Sequence, residues 1–248
     1  KKFGGVVAFD CAATSSHEIL DSAYFDAAFF SPHKLLGGVG SCGLLAIKKE
    51  LCKDVPTFAA GGTVKYVSRT SHLFVNEFEH LEEGGTPPII QLIRANLAYK
   101  LRNEIGFEVI KKAEYELGSL FCEELKNIDE VINYCPKNVE RLPIFAFNIK
   151  DVSPYDFAAS LSNDFGVQTR AGCDCAGPYG HDLLHLKEDA LFKHKPGWVR
   201  AGFHYTHTLK DVDYLIEAIK SSIKKYSDSW RVADPFSVRE ISGCIGER

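Results

Sequence analysis

Short apolar runs separated by glycine and polar turns fill the first third of the chain. Residues 5–9 (GVVAF) read as a buried strand that ends at an acid, Asp10. Residues 24–31 (YFDAAFFS) and 41–47 (SCGLLAI) predict two more strands, with the glycine-rich break 37–40 between them. Near-continuous apolar strands predict a sheet covered on both faces, hence an α/β fold. From Thr86 the period changes to that of a helix. Thr86 is the expected N-cap, Pro87 and Pro88 suit an opening turn, and Ile89, Ile90, Ile93, Leu97 and Leu101 recur at helical spacing up to Gly106. A second amphipathic helix is predicted over residues 107–125, with Val109, Ile110, Ala113, Leu117, Leu120 and Phe121 as its apolar positions.

The later part reads as a second, smaller α/β module. Residues 142–149 (LPIFAFNI) predict a strand, and Ser153, Pro154 and Gly166 bracket a helix between an N-cap, an N1 proline and a C′ glycine. Residues 167–170 and 198–203 predict short strands. A last helix is expected over 208–226, opened by Thr208 and Asp211 in capping-box spacing. The expected organisation is residues 1–105 as the C-terminal part of a large domain, 106–128 as a connecting helix, 129–226 as a small domain, and 227–248 as a tail.

Composition narrows the classes. At about 150 residues per domain, 248 residues make one large domain or two smaller ones. Hydrophobic residues are 45% and charged residues 25%, an ordinary globular balance that excludes disordered, collagen-like and coiled-coil chains. No apolar run approaches the roughly 18 residues a spanning helix needs, so no membrane role is expected. The net charge is -4, and 29 Lys and Arg are interspersed with 33 Asp and Glu, which argues against nucleic acid as a partner. The cysteines, Cys11, Cys42, Cys52, Cys122, Cys135, Cys173, Cys175 and Cys244, are too sparse for a disulfide scaffold. They read as reduced thiols, and the expected location is the cytoplasm, with the mitochondrial matrix as the alternative. Met is 0 and the first residue is Lys1, so the chain is expected to begin part-way into a longer protein or to lack methionines carried in another form.

The sharpest local feature is Ser31-Pro32-His33-Lys34, a lysine just past a predicted strand end and followed by Gly37-Gly38-Val39-Gly40. Strand ends beside glycine-rich turns are where α/β proteins place reactive groups, because backbone can approach a ligand there. A desolvated amine at such a place can form a Schiff base. A lone lysine is more often a solvated surface residue, and Asp10 alone more often ends a strand at a turn. Together, at neighbouring strand ends, they are the acid and amine that a pyridoxal phosphate site requires: a carboxylate for the pyridinium nitrogen and a lysine for the aldehyde.

An ordered set of blocks carries a family resemblance. They are Phe9-Asp10-Cys11-Ala12-Ala13, Phe25-Asp26-Ala27 running into Ser31-Pro32-His33-Lys34, Gly61-Gly62-Thr63-Val64, Glu83-Gly84-Gly85-Thr86-Pro87, Arg170-Ala171-Gly172-Cys173-Asp174-Cys175-Ala176-Gly177-Pro178, and Pro196-Gly197-Trp198-Val199-Arg200. The set resembles the class V aminotransferases, pyridoxal-phosphate enzymes of fold type I, and within them the cysteine desulfurase and selenocysteine lyase branch. The resemblance implies the later part of a large cofactor-binding α/β domain followed by a small α/β domain. It implies that Lys34 carries the cofactor and moves the α-proton, that Asp10 holds the pyridinium nitrogen, and that Ser31 and His33 bind the phosphate. Thr86 would reach the phosphate of a second subunit's cofactor, which implies a homodimer. Arg200 would clamp the carboxylate of a small amino-acid substrate, assisted by Arg170, a task suited to a planar guanidinium. Cys175 would attack the substrate sulfur, keep it as a persulfide and pass it to a sulfur-acceptor protein.

The chain departs from the pattern at two places. Ala13 stands where desulfurases commonly carry a glutamine that hydrogen-bonds the cofactor's phenolic oxygen. Residues 179–195 make a longer segment than most desulfurases place between the cysteine and the arginine. The family's long N-terminal portion, with much of the large sheet and of the phosphate cradle, is expected to be missing ahead of Asp10. The favoured reaction is removal of sulfur or selenium from a cysteine-type amino acid, leaving alanine. Transamination, β-elimination or epimerisation would use Lys34 and Arg200 without Cys175. Two other classes compete: a zinc site from Cys173, Cys175, His181 and His185, the two histidines at i, i+4 on one helix face, and a catalytically silent dimerisation module. The C-x-C spacing and the missing H-E-x-x-H pattern weigh against zinc, so no metal is expected.

Overall fold

The computed structural model describes residues 3–58, 60–136, 139–173, 175–186 and 195–229, so the predicted tail beyond Ser229 and most of the long segment after Leu186 lie outside the described residues. The chain divides into two compact units, Lys1–Ile110 and Lys111–Arg248. Among the described residues no helix is long and apolar enough to cross a membrane.

In the first unit, β1 (Ala8–Asp10), β2 (Ala27–Phe30) and β3 (Leu44–Ile47) form a three-stranded sheet in that order. β1 and β2 are parallel, with Asp10 opposite Phe29, while β2 and β3 are antiparallel. β2 starts later than its apolar run because Ser22–Tyr24 fold into a 3₁₀ turn, capped by the Asp21 carboxylate accepting from the Ala23 N–H. β4 (Val64–Val67) and β5 (His72–Phe74) make an antiparallel hairpin, followed by α1 (Phe78–Glu82) and α2 (Ile89–Ile105). The Asp26 carboxylate ties this sheet across its three strands. Its Oδ2 accepts the Val7 N–H at 2.9 Å and its Oδ1 accepts the Lys48 ammonium at 2.8 Å, fastening the entrance of β1 and the exit of β3 to the start of β2.

Three expectations are corrected here. The first strand is not buried: Val6 is 65% exposed and Phe9 40%. Nor is the sheet covered on both faces, since Phe29 and Leu45, on the face that carries Asp10, are 49% and 54% exposed. Apolar side chains state a preference for burial, and a covering element must still be present to satisfy it. The third correction concerns α2, which starts at Ile89 with Pro88 as its N-cap rather than at Thr86. A residue that precedes proline is disfavoured in the helical region, and this holds Thr86 and Pro87 out of the helix. The residues α2 buries are Ala95 and Ala98, while its isoleucine and leucine stripe stays exposed.

Gly106, at φ +88, separates α2 from α3 (Phe107–Lys126). The second unit is built on an antiparallel sheet of order β6-β7-β9-β8, from Val131–Asn133, Ile144–Ile149, Trp198–Gly202 and Arg170–Gly172 respectively. Its last strand, β8, begins where the predicted 167–170 strand ends. Phe145, Phe147, Ile149, Val199 and Ala201 point to one face and are buried with Leu117, Phe121 and Leu125 of α3. Phe157 and Leu161 of α4 (Pro154–Phe165) complete this core with Val212, Ile216 and Ile219 of α6 (Leu209–Ser229). Phe121 lies edge-on to Phe145 at 4.9 Å and to Phe203 at 5.1 Å. α4 runs between Ser153 and Gly166 at φ +66, as its sequence predicts. At the head of α6, Asp211 Oδ2 accepts from the Thr208 N–H at 2.6 Å and from its hydroxyl at 2.8 Å. These bonds hold the Asp211 carboxyl below the usual carboxylate range.

Asp26→Ala removes both clasps of the first sheet. It is expected to lower stability in urea unfolding by about 2 kcal/mol, the scale of a lost hydrogen bond to a charged group. An unchanged midpoint would show that the strands hold together without it.

Candidate functional site

Parallel strands end at the same edge of a sheet, and β1 and β2 therefore bring Asp10 and the residues after Phe30 to one carboxyl edge. Asp10 is the last residue of β1. Pro32–Lys34 is a 3₁₀ turn placed directly after β2, closed by the Lys34 N–H on the Ser31 carbonyl at 3.0 Å and the Leu35 N–H on the Pro32 carbonyl at 3.0 Å. The chain then folds back on itself so closely that a Cβ on Gly38 would lie 1.8 Å from the Pro32 oxygen. Only glycine fits there, which explains the glycine-rich sequence after the lysine.

The donors and acceptors of this edge suit the cofactor that the sequence implies. Asp10 Oδ1 accepts the Ala12 N–H at 2.9 Å, a bond that orients the carboxylate from within its own turn. Lys34 is exposed, and its amine makes no hydrogen bond or ion pair with any described residue. The acid and the amine are therefore not neutralised by each other. The Ser31 hydroxyl is not used to cap the turn, and His33 is exposed beside it. The edge thus offers an acid, an amine and two further polar side chains, a set whose chemistry fits pyridoxal phosphate.

Thr86 stands apart from that edge in sequence, on a segment with its own anchor. The Gly85 N–H donates to the Gly61 carbonyl at 2.7 Å, and a Cβ on Gly84 would lie 2.2 Å from that of Ala60. Two of the glycine blocks are thereby joined, and Thr86 follows them as an exposed residue.

In the second unit, the sheet register places Arg170 directly opposite Arg200, and Arg200 opposite Ala146. Phe145 and Phe147 fill the core on one face, so the alternation of strand side chains puts both arginines on the other. The register thus makes the two arginines cross-strand neighbours on that face. Beyond β8, the two neighbouring cysteines differ. Cys173 donates its thiol proton to the Pro196 carbonyl at 3.3 Å and sits against α5 (Gly177–Leu183), where a Cβ on Gly180 would lie 2.7 Å from its sulfur. Cys175 is exposed.

The segment that leads into β9 is fastened by residues the sequence reading passed over. Asn148 Nδ2 donates to the Gly197 carbonyl at 2.9 Å, and the Tyr155 hydroxyl donates to the Pro196 carbonyl at 3.3 Å. A polar pair such as Asn148 and Tyr134, bonded at 3.2 Å on the face opposite the core, carries no local motif; only the strand register brings them together. The zinc reading is corrected: α5 ends at Leu183 and His185 sits beyond it at φ +52, so the two histidines do not share a helix face. Among the described residues no group of three or more His, Cys, Asp or Glu is placed to hold a metal ion.

Comparison with known proteins gives the family and its relatives. The family model described as Aminotransferase class-V matches residues 1–215. A probable cysteine desulfurase of Staphylococcus aureus (strain COL) is 33% identical over 227 residues, covering 90% of this chain and 52% of that protein. One from Staphylococcus epidermidis is 32% identical with the same coverage. The chain thus spans about half the length of the curated relatives it matches. Among solved structures, the apo cysteine desulfurase of Thermococcus onnurineus NA1 superposes with a TM-score of 0.78 at 28% identity, covering 90% of this chain and 53% of that one. The S-sulfonic acid form of an Escherichia coli cysteine desulfurase gives 0.77 at 25% identity, with coverage of 90% and 53%.

The contrast between the two thiols predicts their reactivity. In timed alkylation followed by mass spectrometry, Cys175 is expected to be modified before Cys173, which is hydrogen-bonded and half-buried. Faster labelling of Cys173 would contradict the assignment.

Proposed function

The chain belongs to the class V aminotransferase family, and from that membership we propose that it works with pyridoxal phosphate to remove sulfur or selenium from a cysteine-type amino acid. The observation that carries this reading is the parallel pairing of β1 and β2, which sets Asp10 and the Lys34 turn on one edge. When bound, the cofactor supplies an aldehyde for a lysine and an electron-withdrawing ring. The Asp10 carboxylate would hold a proton at the ring nitrogen of that group. Lys34 would hold the group through its Nζ, and the same amine would move the proton at the substrate's α-carbon. The Ser31 hydroxyl and the His33 ring would donate to its phosphate, and Thr86 would serve the phosphate in a second copy of the chain.

From the second unit, Arg200 grips the substrate carboxylate and Arg170 adds its charge beside it. The Cys175 thiolate attacks the substrate sulfur, an S–S bond forms as the carbon–sulfur bond breaks, and the electron pair of that bond goes to the carbon skeleton. The persulfide on Cys175 then passes to a sulfur-accepting protein. In this reading residues 1–105 belong to the cofactor-binding domain, 106–128 to the connecting helix and 129–226 to the small domain, and the setting is the cytoplasm. The named activities of the bacterial and archaeal relatives support the choice of desulfuration within the family.

With the full-length protein, Lys34→Ala is expected to abolish the visible absorbance of bound cofactor. Cys175→Ser is expected to keep that absorbance while sulfide release falls to background. Undiminished sulfide release by the serine variant would exclude the persulfide route and favour a reaction that uses Lys34 and Arg200 alone.

A further inference from the structure

Two loops leave the carboxyl edge of the first sheet, one after Asp10 and one after Lys34, and α2 holds both. Arg94 Nη1 donates to the Val39 carbonyl at 2.7 Å across 55 residues of chain. Further along the helix, Arg102 Nη1 donates to the Ser15 carbonyl, and the Tyr99 hydroxyl donates to Ser15 Oγ at 3.4 Å. Arg94, Ala98 and Arg102 recur every four residues and share one helix face. Ala98 and Ala95 are buried on the side α2 turns inward, and these small side chains let the helix backbone pack against the Pro32–Lys34 turn.

Each anchored residue is tied back to a strand end. The Ser15 N–H donates to the Cys11 carbonyl at 3.1 Å and the Cys11 N–H to the Phe29 carbonyl at 2.9 Å, so Ser15 moves with the end of β1. The Gly38 N–H donates to the Leu35 carbonyl at 2.9 Å, next to the Leu35 bond that closes the lysine turn, so Val39 moves with Lys34. Gly40, at φ +81, is shaped for the contact: a Cβ there would lie 2.6 Å from Arg94 Nη1. Arg102 is itself fixed, with its guanidinium 4.7 Å from the centres of both the Tyr99 and Phe107 rings.

We infer that Arg94 and Arg102 are positioning residues that set the spacing between the Asp10 carboxylate and the Lys34 amine, with α2 as the rigid bar between the two loops. The inference rests on the reading of Asp10 and Lys34 as the cofactor's two anchors. Neither arginine touches the cofactor in this account; each acts through a backbone carbonyl.

The test uses the full-length protein and three measurements: pyridoxal phosphate affinity by titration, the pH midpoint of the visible absorbance of the lysine-bound cofactor, and the thermal midpoint of the cofactor-free protein. Arg94→Ala is expected to weaken affinity by roughly tenfold, the scale of one hydrogen bond from a charged donor, and to shift the pH midpoint. Arg94→Lys, which keeps a cationic donor, is expected to restore most of both. Should Arg94→Ala fail to fold, Arg94→Gln, which shortens the reach and removes the charge, carries the same expectation. Wild-type affinity and pH midpoint in the alanine or glutamine variant would overturn the inference, as would a fall in thermal midpoint with no change in the other two. If the unaltered protein takes no cofactor on Lys34, it is the functional reading that fails instead.

Discussion

The parallel pairing of β1 with β2, in the register that sets Asp10 against Phe29, is the constraint on which the edge carrying Asp10 and Lys34 depends. Side chains alternate along a strand, so a slip of one residue would send the Asp10 carboxylate to the opposite face of the sheet. Nothing in two strands of three and four residues enforces that register by length. It is enforced from outside, by Asp26 at the entrance to β2 and by the Cys11 N–H on the Phe29 carbonyl at the exit. These bonds hold the strand ends that carry Asp10 and the Lys34 turn in register.

The second unit sets Arg170 directly opposite Arg200 on one face of its sheet. The other face of the same sheet buries Phe145, Phe147 and Val199 almost completely, and each such side chain stabilises by roughly 1.5–3 kcal/mol. That apolar face fixes the strand register, and with it the place of the two arginines.

What could be read from the residues alone divides along the same line. Local signals were legible: the helix between Ser153 and Gly166, the Thr208 and Asp211 cap, and the lysine turn after a strand end all depend on neighbours in sequence. So was the fold class, through the ordered blocks around Lys34, Cys175 and Arg200. Distance in sequence defeated the rest. Arg94 and Arg102 reach loops 55 and 87 residues away, and no periodicity announces such a bond. The apolar stripe of α2 misled in the opposite sense, because the helix turns its alanines inward and leaves Ile89, Ile93 and Leu97 more than half exposed. The late start of α2 came from proline geometry overruling a good capping residue. The histidine pair failed as a metal site for a related reason, since α5 stops before it reaches the second histidine.

A pyridoxal phosphate site at the edge shared by Asp10 and Lys34 has a direct chemical signature. It is read by incubating the full-length protein with pyridoxal phosphate, reducing it with borohydride to make the attachment permanent, and mapping the modified peptide by mass spectrometry. A single pyridoxyl group on Lys34 is expected. Modification spread over several exposed lysines, or concentrated on a lysine other than Lys34, would contradict it.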